Sequence, residues 1–349
     1  MRRTFAASLG AVVAIAGFAA FAPSSQASAP GRVHVVKPGH SIQKAVDKAR
    51  PGDVIQLKAG RYDGGVLVRK PLTIRGAGNK TVLSPGKKDH CAKVKQRGMG
   101  ICAVGRAGHP VKDVTVKKLS VRNFKETGVF GYYTDKLTVE YVLAMKNGEY
   151  GIAEYRSTRG KFAHNRVVHS GEHAGLYVGD IANAHGTVVT GNHASGNAMG
   201  LLVRHARNVK VWDNTFVRNC TGITLVDDGQ KGGQGNTAIW KNKVSKNNRK
   251  CKAHGPVPAL HGTGILAFGG DHNSIQKNVV KKNKGKLPYS GGIVLNRGVP
   301  PKNRPAERNL IKANHVRGNA PYDLVDKSGS KTNRFHANRC KTSTPRGLC

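Results

Sequence analysis

From Gly128 onward the chain repeats one pattern: a glycine, an aliphatic residue, several residues of strand character, then an asparagine-containing turn beside a second short strand. The glycines stand at Gly128, Gly151, Gly175, Gly200, Gly222, Gly264 and Gly292, so the steps are 23, 24, 25, 22, 42 and 28 residues. The first four have the length of a single coil of about three short strands, and the two longer ones imply insertions. An isolated coil cannot bury its own apolar residues, so the coils must stack. Val129, Ile152, Leu176, Leu201, Ile223, Ile265 and Ile293 are then expected as an inward ladder. The asparagines Asn165, Asn192, Asn214, Asn242, Asn278, Asn314 and Asn338 recur with the same regularity. They are expected to take left-handed backbone conformations at equivalent turns and to hydrogen-bond along the stack, a structural role.

The N-terminal part reads differently. Residues 1–29 carry Arg2 and Arg3, an apolar run from Ala6 to Ala22 and the small-residue site Ala27-Ser28-Ala29, which together predict a signal peptide. The mature chain, 30–349, is expected to be one domain without a membrane span, since the repeats leave no room for a second unit. Ser41 is a candidate N-cap for an amphipathic helix over 42–49, ended by Pro51-Gly52 and followed by strands at 53–57, 65–68 and 72–74. Such a helix suits the open end of a solenoid, where the last core layer needs a cover.

These residues resemble the pectin-lyase-like right-handed β-helices. The likeness lies in Val36-Lys37-Pro38-Gly39-His40-Ser41-Ile42-Gln43-Lys44-Ala45-Val46, in Pro51-Gly52-Asp53-Val54-Ile55 and in Leu72-Thr73-Ile74-Arg75-Gly76, and the repeats extend it over nearly all of 30–349. It implies an all-β fold, a single right-handed parallel β-helix with an N-terminal capping helix. The superfamily includes polysaccharide lyases, polygalacturonases, alginate epimerases, phage depolymerases and a maturation protein for nitrous oxide reductase copper sites, so the resemblance specifies fold far more than function. Locally, Tyr150-Gly151-Ile152-Ala153-Glu154-Tyr155 and Gly175-Leu176-Tyr177-Val178-Gly179 are similar to the Tyr-Gly-Phe-Asp-Pro-His and Gly-Phe-Val-Ala-Asp segments of alginate C5-epimerases and related lyases. The tyrosine and both glycines agree. The family's aspartate and histidine fall on Ala153 and Tyr155, and its second aspartate on Gly179, one place before Asp180.

Charge narrows the choice of partner. With 58 Lys and Arg against 19 Asp and Glu the formal charge is +39, and loss of Arg2 and Arg3 with the signal leaves +37. A field of one sign on this scale attracts acidic polysaccharide or another polyanion. Specific nucleic-acid readout is not expected, because the basic residues are spread along the chain and no nucleic-acid-binding motif is present. A monomer, secreted and extracellular or wall-associated, is expected. The six cysteines fall into local couples, Cys91 with Cys102, Cys220 with Cys251 and Cys340 with Cys349. Local pairing is favoured because residues distant along a solenoid's sequence are distant in space.

Alternation along the strands gives an outward stripe of Phe130 and Tyr132, Tyr155, Tyr177, Leu202 and Arg204, Thr224, Leu266 and Phe268, and Asn296. Stacked aromatics suit pyranose faces, unless an insertion covers them. Around the stripe gather Glu126, Glu149, Glu154, Glu172, His173, Asp180, Arg204, His205, Asp227 and Asp228. Elimination next to a uronic carboxylate needs a base, a cation and an acid, for which His173 or Glu172, Arg204, and Tyr177 or Tyr155 are the candidates. Hydrolysis needs two carboxylates, for which Asp180 with Asp227 or Asp228 is the candidate set. The expected geometry is one ladder of Tyr155, Tyr177 and Arg204, with Glu154, His173 and Asp180 at its rim. No cofactor is expected. Calcium through Asp180 and Asp227 or Asp228 is the candidate metal, and the fifteen scattered histidines specify no copper site. The leading function is a secreted carbohydrate-active protein, lyase or hydrolase, on an acidic polysaccharide. The alternatives are a non-catalytic polysaccharide- or wall-binding β-helix and an accessory protein for metal-site maturation.

Overall fold

Stacking of the glycine–aliphatic repeats produces an eleven-stranded parallel sheet running from Val66–Val68 to Ser343–Thr344. The structure, a computed structural model, describes residues 31–349 except 171–172, 256 and 300–301. The expected signal peptide and Glu172 lie outside the described residues. Residues 31–349 form one compact unit. Register follows the sequence pattern: Val129, Ile152, Leu176, Leu201, Ile223, Ile265 and Ile293 pair in succession and point into the lumen, each at most 1 % exposed. The glycine before each has a steric cause. A Cβ on Gly200 would lie 2.5 Å from the carbonyl oxygen of Gly222 in the next coil, and one on Gly128 2.6 Å from that of Gly151.

The other two faces of each coil are short strands such as Lys161–Ala163 and Arg166–Val168, pairing in parallel with Val188–Thr190 and His193–Ser195 of the next coil. Between them sits the asparagine ladder. Each buried Nδ2 from Asn165 to Asn314 donates to the Oδ1 of the next asparagine, at 2.9–3.0 Å, and Asn338 ends the column. The left-handed residue is the one before the asparagine, as at His164 (φ 56°), Asp213 (φ 54°) and Lys241 (φ 56°), so the expectation that the asparagines themselves take that conformation is corrected. Their side chains are needed inside, where they satisfy backbone groups of the bend that no strand partner reaches. A second ladder, which the sequence reading missed, runs five residues later through Ser170, Asn197, Asn219, Asn247, Asn283 and Asn319 and ends on Asp323.

The helix Ile42–Lys48 is capped by Ser41, whose Oγ accepts from Lys44 N at 3.2 Å. Ile42 and Val46 add to the lumenal core, while Gln43 exchanges two hydrogen bonds with the backbone of Leu67. The three cysteine couples are disulfides, as read. The Cys220–Cys251 bridge ties the 42-residue step to the outer face of the eleven-stranded sheet, where Lys250–Cys251 pairs antiparallel with Leu260–His261. No helix among the described residues is long and apolar enough to cross a membrane.

Candidate functional site

Side chains leaving the outer face of that sheet form two columns. Phe130, Ala153, Tyr177, Leu202, Thr224, Leu266 and Val294 make the first. Tyr132, Tyr155, Gly179, Arg204, Val226, Phe268 and Asn296 make the second. The first column is closed to solvent: Tyr177 is fully buried, Leu202 and Phe130 nearly so, and they belong to a second apolar cluster with Met199, Cys220 and Leu260. The open sugar platform expected along this stripe is therefore corrected. Val257, Pro258 and Leu260 from the insertion, together with Val299, lie over Leu202, Thr224 and Phe268 and leave a cavity of about 220 Å³. Alternation fixes the direction of a side chain, not what overlies it.

Tyr155, Tyr177 and Arg204 are likewise not one ladder. Gly179 stands between Tyr155 and Arg204, and the Tyr177 ring crosses from its own column into that space, where a Cβ on Gly179 would lie 2.2 Å from its hydroxyl. The Tyr155 and Tyr177 rings stack with centroids 4.4 Å apart. The half-buried Tyr155 hydroxyl donates to Tyr150 Oη at 3.2 Å. Burial pushes all three phenols well above their ordinary range, so each stays protonated across neutral pH. Tyr150 also packs against His173, centroids 5.6 Å apart, and His173 Nδ1 lies 3.4 Å from Glu149 Oε1. The His173 ring meets that of His254, from the insertion, at 5.0 Å.

Beside this cluster Arg204 is held by two carboxylates, Nη1 to Asp180 Oδ1 at 3.0 Å and Nη2 to Asp228 Oδ2 at 2.6 Å. Burial works against the Arg204 charge, but the Tyr177, Asp180 and Asp228 groups outweigh it and keep it ionised. Burial also tends to raise Asp228; hydrogen bonds from Gln230 and the Arg204 charge win and hold it below its ordinary value. Asp227 Oδ1 is occupied with the Gly229 N–H at 2.8 Å. The clasp has a net charge of minus one, so Arg204 has no uncompensated charge for a substrate carboxylate. Asp228, held below its ordinary value, is also unsuited to the general-acid role of hydrolysis, which calls for a carboxyl with a raised pKa.

A carboxyl that does have a raised pKa faces the other way. Glu154 is 1 % exposed and points into the lumen, its Oε1 accepting from Thr187 Oγ1 at 2.9 Å and its Oε2 without a protein partner against Gly160. Burial drives its pKa up to about 7. Its expected place on the rim is corrected, for the alternation that sends Tyr155 outward sends its predecessor in. The structure thus brings Glu149, His173, Tyr155 and Tyr177 together, sets Asp180, Arg204 and Asp228 beside them, and separates Glu154. Sequence reasoning left out Tyr150, although it stands in the matched tyrosine–glycine segment, and His254, for which the insertion gave no signal.

Among the described residues no group of three or more His, Cys, Asp or Glu converges to hold a metal ion, and all six cysteines are bridged. The expected calcium ligands are instead committed to Arg204 and to the Gly229 turn.

Fold and site together define a disulfide-bonded right-handed parallel β-helix whose outer face carries an aromatic and ionisable cluster under an insertion. A family model described as "Periplasmic copper-binding protein (NosD)" matches residues 63–259, and the chain belongs to this family. The described residues do not fit the resident copper that this description implies, for the ligand reasons just given. A comparison with curated proteins finds no match. Among solved structures the chain is similar to DFA-IIIase from Arthrobacter chlorophenolicus A6 without its lid, at 12 % identity and TM-score 0.61 over 90 % of each chain. It is similar to the A-module of the Azotobacter vinelandii mannuronan C-5 epimerase AlgE6 at 17 % identity and TM-score 0.59, over 85 % of this chain and 87 % of that one. The periplasmic alginate epimerase AlgG follows at 15 % identity and TM-score 0.57, over 88 % and 83 %. At these identities the likeness is one of fold.

Proposed function

We propose that this is an exported protein that acts on an acidic polysaccharide by proton transfer at a uronate carbon, as a lyase or an epimerase rather than a hydrolase. The observation that carries the reading is the Glu149–His173–Tyr150–Tyr155 cluster at the edge of the covered stripe. In elimination, the His173 imidazole takes the proton from the carbon next to the carboxylate. The bond from the adjacent carbon to the glycosidic oxygen breaks, and the Tyr155 phenol, kept protonated by burial, gives its proton to that oxygen. The Glu149 carboxylate, 3.4 Å from Nδ1, stabilises the imidazole once it is charged. Hydrolysis is disfavoured by the Arg204 clasp. The epimerases among the structural neighbours, and three disulfides suited to an oxidising compartment, support the reading.

Purified mature protein incubated with alginate and with polygalacturonate is expected to give new ultraviolet absorbance from unsaturated ends, or exchange of the abstracted hydrogen with deuterated solvent if the proton is returned. New reducing ends without either signal would establish hydrolysis. Tight binding with no chemistry would move the protein to the polysaccharide-binding class.

A further inference from the structure

The second asparagine ladder does more than hold the coils. Asn147, which donates to Ser170 Oγ, extends this ladder by one rung, and the residues before Asn147, Ser170, Asn219 and Asn247 are the left-handed Lys146 (φ 54°), His169 (φ 49°), Arg218 (φ 59°) and Lys246 (φ 53°). A left-handed conformation disfavours residues with a Cβ, yet basic side chains occupy it here. The backbone of these turns is fixed from coil to coil by bonds such as Lys146 N to the Val168 carbonyl and His169 N to the Ser195 carbonyl. Lys146, His169, Arg218 and Lys246 therefore stand along the stack at about 4.8 Å per coil, with Gly196 at the rung between His169 and Arg218, where Arg249 donates to its carbonyl.

That row borders two adjoining grooves. One, of about 780 Å³, is lined by Lys125, Lys146, Arg249, Lys250 and Lys252 and reaches His254. The other, of about 650 Å³, is lined by Arg166, Arg218, Lys246 and Arg249 with His193. His169, Gly196 and Arg249 line both, and Arg249 is anchored by donating to the carbonyls of Gly196 and Asn197. Among the described residues no Asp or Glu lines either groove. Burial, and then the Arg166 and Arg218 charges, hold the His193 imidazole below its ordinary value, as expected in a positive field. At its His254 end the track touches the candidate site, because the His254 ring packs on His173.

We infer that the paired basic grooves are the binding track for one linear carboxylated polysaccharide, which they lead toward His173. The inference rests on the acidic-polysaccharide reading above and supplies the cations that Arg204 cannot. One charged sugar is about as long as one coil is high, so carboxylates along the polymer can meet the basic rungs on either side of Gly196. A nucleic acid is a poorer fit, since among the described residues no Tyr or Trp lines either groove and the lining Phe124 is 3 % exposed, which leaves no open aromatic platform for bases.

The test is a binding titration of intact mature protein with alginate and, separately, with a single-stranded DNA of equal charge, using two quadruple variants of equal charge change. The groove set is Arg166→Gln, Lys246→Gln, Lys146→Gln and Lys252→Gln. The control set is Lys37→Gln, Lys44→Gln, Lys48→Gln and Lys58→Gln, exposed residues of the N-terminal cap. The groove set is expected to weaken alginate binding by at least about tenfold and the control set by less than about twofold, with wild-type affinity falling steeply with salt. Equal losses in both sets, or no loss in the groove set, would overturn the track. A groove that prefers the DNA would overturn the carboxylated ligand. Wild-type protein that binds alginate through the groove but transforms no uronate would leave the track standing and remove the proposed chemistry.

Discussion

The two sides of the strands from Tyr150 to Val226 carry different chemistry and were unequally legible. On the lumenal side each coil offers the same apolar position, and the asparagine ladders satisfy the bends, so stacking alone determines what a residue meets. On the outer side successive coils offer Ala153, Tyr177, Leu202 and Thr224, and insertions from distant coils decide their exposure. A solenoid interior is a nearest-neighbour problem, whereas its outer face depends on loops whose paths no period specifies.

The lumenal ladder should be the most costly feature to break. Asn214 donates to Val189 O, Trp212 O and Asn242 Oδ1 and accepts from Asn192, so Asn214→Leu strands several buried polar groups. A loss of about 4 kcal/mol is expected in denaturant unfolding. A loss below about 1 kcal/mol would mean that water replaces the ladder and that the inside is not as closed as described.

Glu154 sharpens the contrast with the opposite sign. Its folded pKa of about 7 lies above the unfolded value, so the folded state binds more protons in between, and stability falls as pH rises from the ordinary carboxyl range to about 7. Glu154→Gln should therefore raise unfolding stability by about 3 kcal/mol at pH 8 and leave it nearly unchanged near pH 4. Thermal melts of both proteins across this range check it. An equal gain at both ends would trace the effect to packing and not to ionisation.

The repeat spacing was enough for the fold, the inward column, the first asparagine ladder and the local disulfides, because each is set within a coil or between neighbours. The second ladder was also visible, as asparagines five residues apart at Asn192 and Asn197, Asn214 and Asn219, and Asn242 and Asn247. It was obscured where Ser170 takes one rung. Glu154 was assignable to the lumen by the rule that put Tyr155 outside. The closure over Leu202 was not legible, nor was the Asp180–Arg204–Asp228 clasp, which depends on the turn taken after Val226.

The central claim, that chemistry belongs to the outer cluster and not to the buried Glu154 carboxyl, is tested most directly by uronate turnover in three single variants beside the wild type. His173→Ala and Tyr155→Phe are each expected to lose at least about a hundredfold in rate, in line with the loss of a general base or acid, while Glu154→Gln keeps the wild-type rate. Loss of activity in Glu154→Gln with His173→Ala still active would contradict the account.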